Sequence, residues 1–476
     1  MRARLRLPVC GLALAASLDI PARGDFNGDA AALGRIARET VATAAVEPGA
    51  RISMGVNSTG RLLHRPGGSG IYPSFWIRDA AMMLGGGLIS AGEIEGWLSV
   101  IAATQPGPAG IALRHGLFVP GYSIPDHINV NGRAVWYPGT YSDEEDQGGG
   151  GYGFLPPADD AFYFVQMARE YVDLTGQPGH LRTRLPTGWG IHSLMEVCDR
   201  AFESVAVDPD TGIVICGAAA GRTRVDWGFC DSVTKTGCVL FPTILRYRAA
   251  RDLACMHDAL GERASAEGYR RTAGQLRASV VRMFLRKTGD GTAMLISATG
   301  LGKKDDIWGS SFAVAEGVLD GGSEAEVSRG LLALFKAGGI VADGQVRAMP
   351  PGGPFGGGWE KTLSPLGHYQ NGGYWGTMSG WLIVALHKVD RQASADVLHA
   401  LVAGISAHRS EGAPWEWVNP SLHLYKNPLY CATVTTPYAT LLRSGLVGDE
   451  RSQETLTNPQ LVPWYHNATQ DPPTHH

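Results

Sequence analysis

Eleven stretches of apolar residues at three-to-four spacing run the length of this chain, and the connections between them alternate between a few residues and several dozen. The stretches lie at 30–46, 77–103, 161–174, 191–205, 239–260, 264–285, 307–319, 324–337, 374–389, 393–408 and 430–442. That spacing puts one apolar stripe on each of a series of helices. In 161–174, Phe162, Val165, Ala168 and Val172 share a face, while Arg169, Glu170 and Asp173 take the other. Asp29, Asp159 and Asp305 stand where helix caps belong. Very few segments show the period of two that a half-buried strand needs. A connection such as Gly261-Glu262-Arg263 folds one helix back on the next. The connections 105–156, 287–304, 339–373 and 409–429 are longer than a simple link and rich in Gly, Pro and aromatics, the mark of functional loops. The expectation is an all-α chain of helical hairpins packed in a ring, with the long loops gathered at one rim.

The chain of 476 residues is about three times an ordinary domain, yet no linker divides it. Residues 25–450 therefore read as one catalytic domain, with a Pro-rich tail at 451–476. Residues 1–24 read as a signal peptide or a disordered start: Met1-Arg2-Ala3-Arg4-Leu5-Arg6 and then an apolar run follow the order of a secretory signal. Localisation stays open between export and the cytoplasm. No apolar run reaches the ~18 residues of a membrane span. Lys and Arg number 41 against 45 Asp and Glu, a net charge of −4, which excludes the basic excess of a nucleic-acid binder. Glycine is abundant, 64 residues, without a collagen period. The seven cysteines show no zinc spacing. Asp25-Phe26-Asn27-Gly28-Asp29 is like a calcium loop but has Ala30 where Gly is required, so it reads as a helix cap. No cofactor or metal is called for.

Chemistry concentrates in the long loops. Trp76, Arg78 and Asp79 stand together at the mouth of a helix, where a guanidinium fork and a carboxylate can take vicinal hydroxyls while an indole stacks on a sugar face. Val225-Asp226-Trp227-Gly228-Phe229-Cys230-Asp231 precedes another helix and supplies two candidate acids. Gly357-Gly358-Trp359-Glu360-Lys361 supplies a third carboxylate. Gln370 and Asn371 lie in Tyr369-Gln370-Asn371-Gly372-Gly373-Tyr374-Trp375, and Glu416 lies between Trp415 and Trp417. Indoles on both sides lower the local dielectric and raise a carboxyl pKa. Carboxylates on loops shared with Trp76, Trp136, Trp227, Trp308, Trp359, Trp375, Trp415 and Trp417 are what glycoside hydrolysis needs: one acid for the leaving oxygen and one carboxylate for water or for C1.

Three of these segments carry a resemblance. Phe75-Trp76-Ile77-Arg78-Asp79-Ala80 resembles the Trp-x-Arg-Asp-Ala segment of glucoamylase-like enzymes, Gln370-Asn371-Gly372-Gly373-Tyr374-Trp375 resembles a turn common to the six-hairpin glycosidases, and Trp415-Glu416-Trp417-Val418-Asn419-Pro420 is similar to a segment of processing α-glucosidases and mannosylglycerate hydrolases. The resemblance runs in patches from about residue 29 to residue 445 and implies an (α/α)6 barrel. In those enzymes and in trehalases it implies an inverting mechanism on a terminal α-glycoside, with Glu416 as general base and an Asp beside a Trp as general acid. Asp226 is favoured for the acid because Trp227 adjoins it; Asp231 is the alternative, and Glu360 competes for the base. Trp76, Arg78, Asp79, Trp227, Trp308, Trp359, Gln370, Asn371, Trp375 and Trp415 are expected to line the sugar site.

Three rival readings share these residues. A sugar epimerase would use histidines, of which His127 and His368 lie in aromatic-rich loops. A glycoside phosphorylase would depend on phosphate, and a carbohydrate-binding protein would bind without turnover.

Overall fold

The computed structural model describes residues 25–144, 147, 156–217, 229–289 and 291–448. The stretch 1–24, the tail 451–476, Asp226 and Trp227 lie outside the described residues. Twelve α-helices occur among the described residues: α1 (Phe26–Ala44), α2 (Ile77–Met82), α3 (Ala91–Thr104), α4 (Asp159–Thr175), α5 (Leu194–Glu203), α6 (Leu240–Ala259), α7 (Arg263–Phe284), α8 (Ile307–Ala315), α9 (Gly321–Ala337), α10 (Ser379–His387), α11 (Arg391–Ala407) and α12 (Ala432–Arg443). Eleven were expected. The stretch 77–103 divides because Gly85, Gly86 and Gly87 interrupt it, two of them at positive φ, and Ser90 and Glu93 form a capping box that starts α3 afresh.

Helix burial sorts the twelve into two sets. Every residue of α2 is buried, as are Ser379–Leu386 of α10 and all but the last residue of α8. Helix α7 by contrast buries one stripe: Ala266, Ala273, Leu276, Ser279, Val280 and Phe284. The even-numbered helices make a closed circuit of contacts, α2 to α4 to α6 to α8 to α10 to α12 and back to α2. The odd-numbered helices pack against that circuit: α3 on α4, α5 on α4 and α6, α7 on α6, α9 on α8 and α10, α11 on α10, and α1 on α11 and α12. One continuous apolar core draws on nearly all of them.

The all-α expectation needs correction. Twenty short strands form eight small sheets among the described residues. The largest is a five-stranded antiparallel sheet of Val341–Ala342, Gln345–Arg347, Tyr374–Trp375, Trp415–Asn419 and Leu424–Pro428. Thirteen of the twenty strands are two residues long, and Trp415–Asn419 is buried along most of its length, so neither kind shows alternation. The caps shift as well. Asp25, not Asp29, caps α1, and Asp306, not Asp305, caps α8. Asp159 is the first residue of α4 with its side chain committed elsewhere.

Candidate active site

The inner helices and the five-stranded sheet bring carboxyls from distant parts of the chain to one place. Trp76 occupies the N-cap position of α2, so Arg78 and Asp79 fall in its first turn, both buried. Arg78 does not pair with Asp79. Its Nε donates to Asp159 Oδ2 at 2.6 Å and its Nη2 to Asp159 Oδ1 at 3.1 Å, a bidentate bond across to α4. Burial pulls the guanidinium pKa down, but Asp159 and Asp160 outweigh it and hold it well above its ordinary value. Asp79 Oδ1 accepts from Tyr430 Oη at 2.6 Å. Burial pushes Asp79 up to about 6 against the pull of Tyr430 and Arg78.

Glu416 is buried in the strand Trp415–Asn419. Tyr72 Oη lies 2.9 and 2.8 Å from its two oxygens. Asn427, opposite it on Leu424–Pro428, donates Nδ2 to Oε2. Burial drives Glu416 up to about 8; the bonds from Asn427 and Tyr72 oppose that, and the charges of Asp79 and Asp231 add to it. The elevation expected from the sequence is present, but not because of the flanking indoles: successive side chains of a strand point to opposite faces.

Asp231 sits in the turn before α6. Gln370 grips that turn, with Oε1 accepting from Ser232 N at 3.0 Å and Ser232 Oγ at 2.8 Å, and Nε2 donating to Phe229 O at 2.8 Å. Burial raises Asp231 to about 6; Arg78 lowers it and Asp126 raises it. Its buried Oδ1 has no hydrogen-bond partner among the described residues. Asp231, Asp79 and Glu416 thus share one electrostatic neighbourhood.

The other expected site residues divide. Trp76 is half-buried, stacked on His127 with ring centroids 4.2 Å apart and meeting Tyr72 edge-on at 5.3 Å. Trp308, Trp359 and Trp375 are buried, and their indole N–H groups go to the carbonyls of Val346, Gln370 and Tyr369. Asn371 accepts from Trp359 N at 2.7 Å and donates to Ser364 O at 2.9 Å, so it and Gln370 hold loops together. The glycines after it permit a close crossing. Gly372 has φ 107°, and a Cβ on Gly373 would stand 2.4 Å from Tyr369 O. Trp415 is half-buried near Tyr425. Glu360 is exposed, its Oε2 reaching the Gly302 N–H at 3.4 Å, and it does not join the cluster.

Sequence reasoning missed Tyr72, Asp126, Tyr369, Asn427 and Tyr430, read Asp159 as a cap, and noted His127 only as an available histidine. Asp126 Oδ2 lies 2.8 Å from His127 Nδ1, both buried. Asp160 is buried with neither carboxyl oxygen bonded among the described residues, and burial, with the charge of Asp159 beside it, raises its pKa well above the usual carboxyl value against the pull of Arg78. The one signal for these residues was Asp159-Asp160 opening a helix; the tyrosines had none. No cluster able to hold a metal ion occurs among the described residues.

In fold the chain resembles the six-hairpin glycosidases. The GH63 mannosylglycerate hydrolase of Thermus thermophilus in complex with glucose superposes with a TM-score of 0.54 at 12% identity, covering 86% of this chain and 99% of that one. Glucoamylase of Hormoconis resinae gives 0.51 at 13% identity, covering 94% of this chain and 77% of that one. A GH78 rhamnosidase of a Bacillus species gives 0.49 at 15% identity over 88% of this chain, which spans only 35% of the rhamnosidase. No family model matches the chain, and no curated protein matches it in sequence.

Proposed function

We propose that the protein is an inverting glycoside hydrolase acting on a terminal α-glycoside, with residues 25–450 as an (α/α)6-barrel catalytic domain. One observation carries this reading: Glu416, buried, and Asp231, half-buried with its Oδ1 shut from solvent, stand 185 positions apart in the chain, yet the charge of Asp231 reaches both Glu416 and Asp79. The closed circuit of even-numbered helices and the fold likeness support it.

Glu416 is assigned the general base. Its partners Tyr72 and Asn427 can both donate to it, the surroundings of a carboxylate that must become an anion and remove a proton from water. Asp231 is assigned the acid, with Oδ1 free of protein partners among the described residues to hand a proton to the glycosidic oxygen. The leaving oxygen takes Asp231's proton as its bond to C1 breaks. Water attacks C1 from the opposite face and gives its proton to Glu416. Arg78, Asp79 and Trp76 grip the sugar.

Glu416→Gln and Asp231→Asn should each lower kcat by at least ~10²-fold, the usual worth of a general acid or base. Asp231→Ala should recover on substrates whose leaving group needs no proton, and Glu416→Ala should recover with azide. Near wild-type turnover in both Asn and Gln variants would end the assignment, and loss in Asp226→Asn alone would move the acid to Asp226. Proton NMR of the first product must show the inverted anomer.

A further inference from the structure

The general acid marks the side of the site from which the leaving group departs, and the loops on that side are apolar. Leu363 N donates to Ser232 O at 2.9 Å, Thr362 Oγ1 to the same oxygen at 3.1 Å, and Thr234 N to Lys361 O at 3.0 Å. The segment 361–363 is therefore stitched to the turn that carries Asp231. Asn419, on the strand of Glu416, donates to Gly367 O at 2.8 Å, so the same loops also join the strand of the base.

Four large apolar side chains stand exposed on this surface: Phe355 at 57%, Leu363 at 46%, Leu366 at 51% and Leu422 at 47%. Leu366 lies against the turn that carries Phe355 and Leu422 against the adjoining Gly367, while Leu363 stands three positions before Leu366 in the chain. A Cβ on Gly358 would lie 2.8 Å from Leu366 Cδ1, and one on Gly367 would lie 2.7 Å from Leu422 Cδ1. Phe355 is held in the left-handed region at φ 58° and ψ 27°, a conformation costly for a bulky residue and one that collects at binding sites. Lys304 braces that turn, donating to the carbonyls of Pro354 and Gly358, with Nζ 5.1 Å from the Phe355 ring centroid. A contiguous exposed apolar patch on a monomer marks a contact surface. Among the described residues, the indoles of Trp308, Trp359 and Trp375 are buried and bonded, so these three offer no face to a second sugar.

We infer that the surface of Phe355, Leu363, Leu366 and Leu422 seats the leaving group, and that the substrates are glycosides of an apolar alkyl or aryl alcohol rather than oligosaccharides. This rests on the hydrolase reading above and on Asp231 as its acid.

The test uses methyl and octyl α-glycosides of glucose, mannose and rhamnose, the corresponding disaccharides, and the glycosyl fluorides, which carry no aglycone. The octyl glycoside of the accepted sugar should exceed the methyl glycoside by about tenfold or more in kcat/KM, with the disaccharides poorest. That ratio should fall toward one in Phe355→Ser/Leu366→Ser and, should the double variant not fold, in Leu422→Ser. A wild-type ratio near one, or a preference for disaccharides, overturns the apolar platform while the hydrolase stands. Failure to hydrolyse any glycosyl fluoride overturns the hydrolase itself. A ratio unmoved by variants that abolish self-association in sedimentation would make the patch an interface between copies and overturn the proposal.

Discussion

Glu416 owes its behaviour to its burial and to two side chains that no pattern in the chain announces. Tyr72 and Asn427 favour its anion, burial disfavours it, and burial wins, leaving it at about 8. Asp231, with Arg78 nearby, lies at about 6. The proton therefore rests on Glu416 when the productive form needs it on Asp231. Both arrangements carry a single proton on the pair, so the rate should follow the singly protonated state as a bell with limbs near 6 and near 8. Tyr72→Phe removes a bond to the anion, worth about 1.5–3 kcal/mol. The upper limb should move to higher pH by about one unit or more, at about 1.4 kcal/mol per unit, and the plateau should fall. A pH profile of kcat/KM decides it: unchanged limbs would mean that Tyr72 does not tune Glu416. The acidic residue itself was legible, because a Glu inside an apolar segment is costly unless it has work to do. Its partners were not. Tyr72 follows an unpatterned Gly68-Ser69-Gly70 turn, and Asn427 becomes its neighbour only through strand pairing.

At the scale of elements, periodicity found helices well and their ends poorly. A window of three-to-four spacing reads straight through Gly85-Gly86-Gly87, and it annexes Ile191–Ser193, the greater part of the strand Gly190–Ser193, and the strand Tyr374–Trp375. Short strands have no period to detect, so the sheet that carries Glu416 was invisible although its residues were in view. Close approaches were equally hidden. A Cβ on Gly380 of α10 would stand 2.6 Å from Pro437 Cα and 3.0 Å from Thr440 Cβ of α12. Backbone lies on the other side of that contact, so the neighbour cannot simply swing away. Gly380→Ala normally gains helix propensity, up to about 1 kcal/mol; here overpacking should reverse the sign and cost about 1–3 kcal/mol. A lower urea midpoint with an unchanged slope is the expected result. A more stable variant would show that α10 and α12 can part without cost.

At the scale of the whole molecule, the buried carboxyls set how stability varies with pH. Burial raises Asp79, Asp231 and Asp252 to about 6 and Glu416 to about 8. Between the ordinary carboxyl value and these raised values, the folded chain holds protons that the unfolded chain has released. The contribution of these groups to stability must therefore be greatest below the ordinary value and fall as pH rises, until each passes its folded pKa. The three aspartates complete their loss by about 6, whereas Glu416 goes on costing stability to about 8. Asp160, raised by burial and by Asp159, extends the slope, and His64, lowered by burial, opposes it on the acid side of its ordinary value. Comparing wild type with Glu416→Gln cancels the contributions common to both. The variant should gain on the wild type by up to about 1.4 kcal/mol per pH unit between about pH 5 and pH 8, and no further above that. Chemical denaturation across that range measures the difference. Parallel curves would mean that Glu416 titrates normally and is not shut away among the tyrosines. A variant that is firmer at pH 8 while it no longer turns over substrate is the outcome expected when a fold keeps a costly acid for its chemistry.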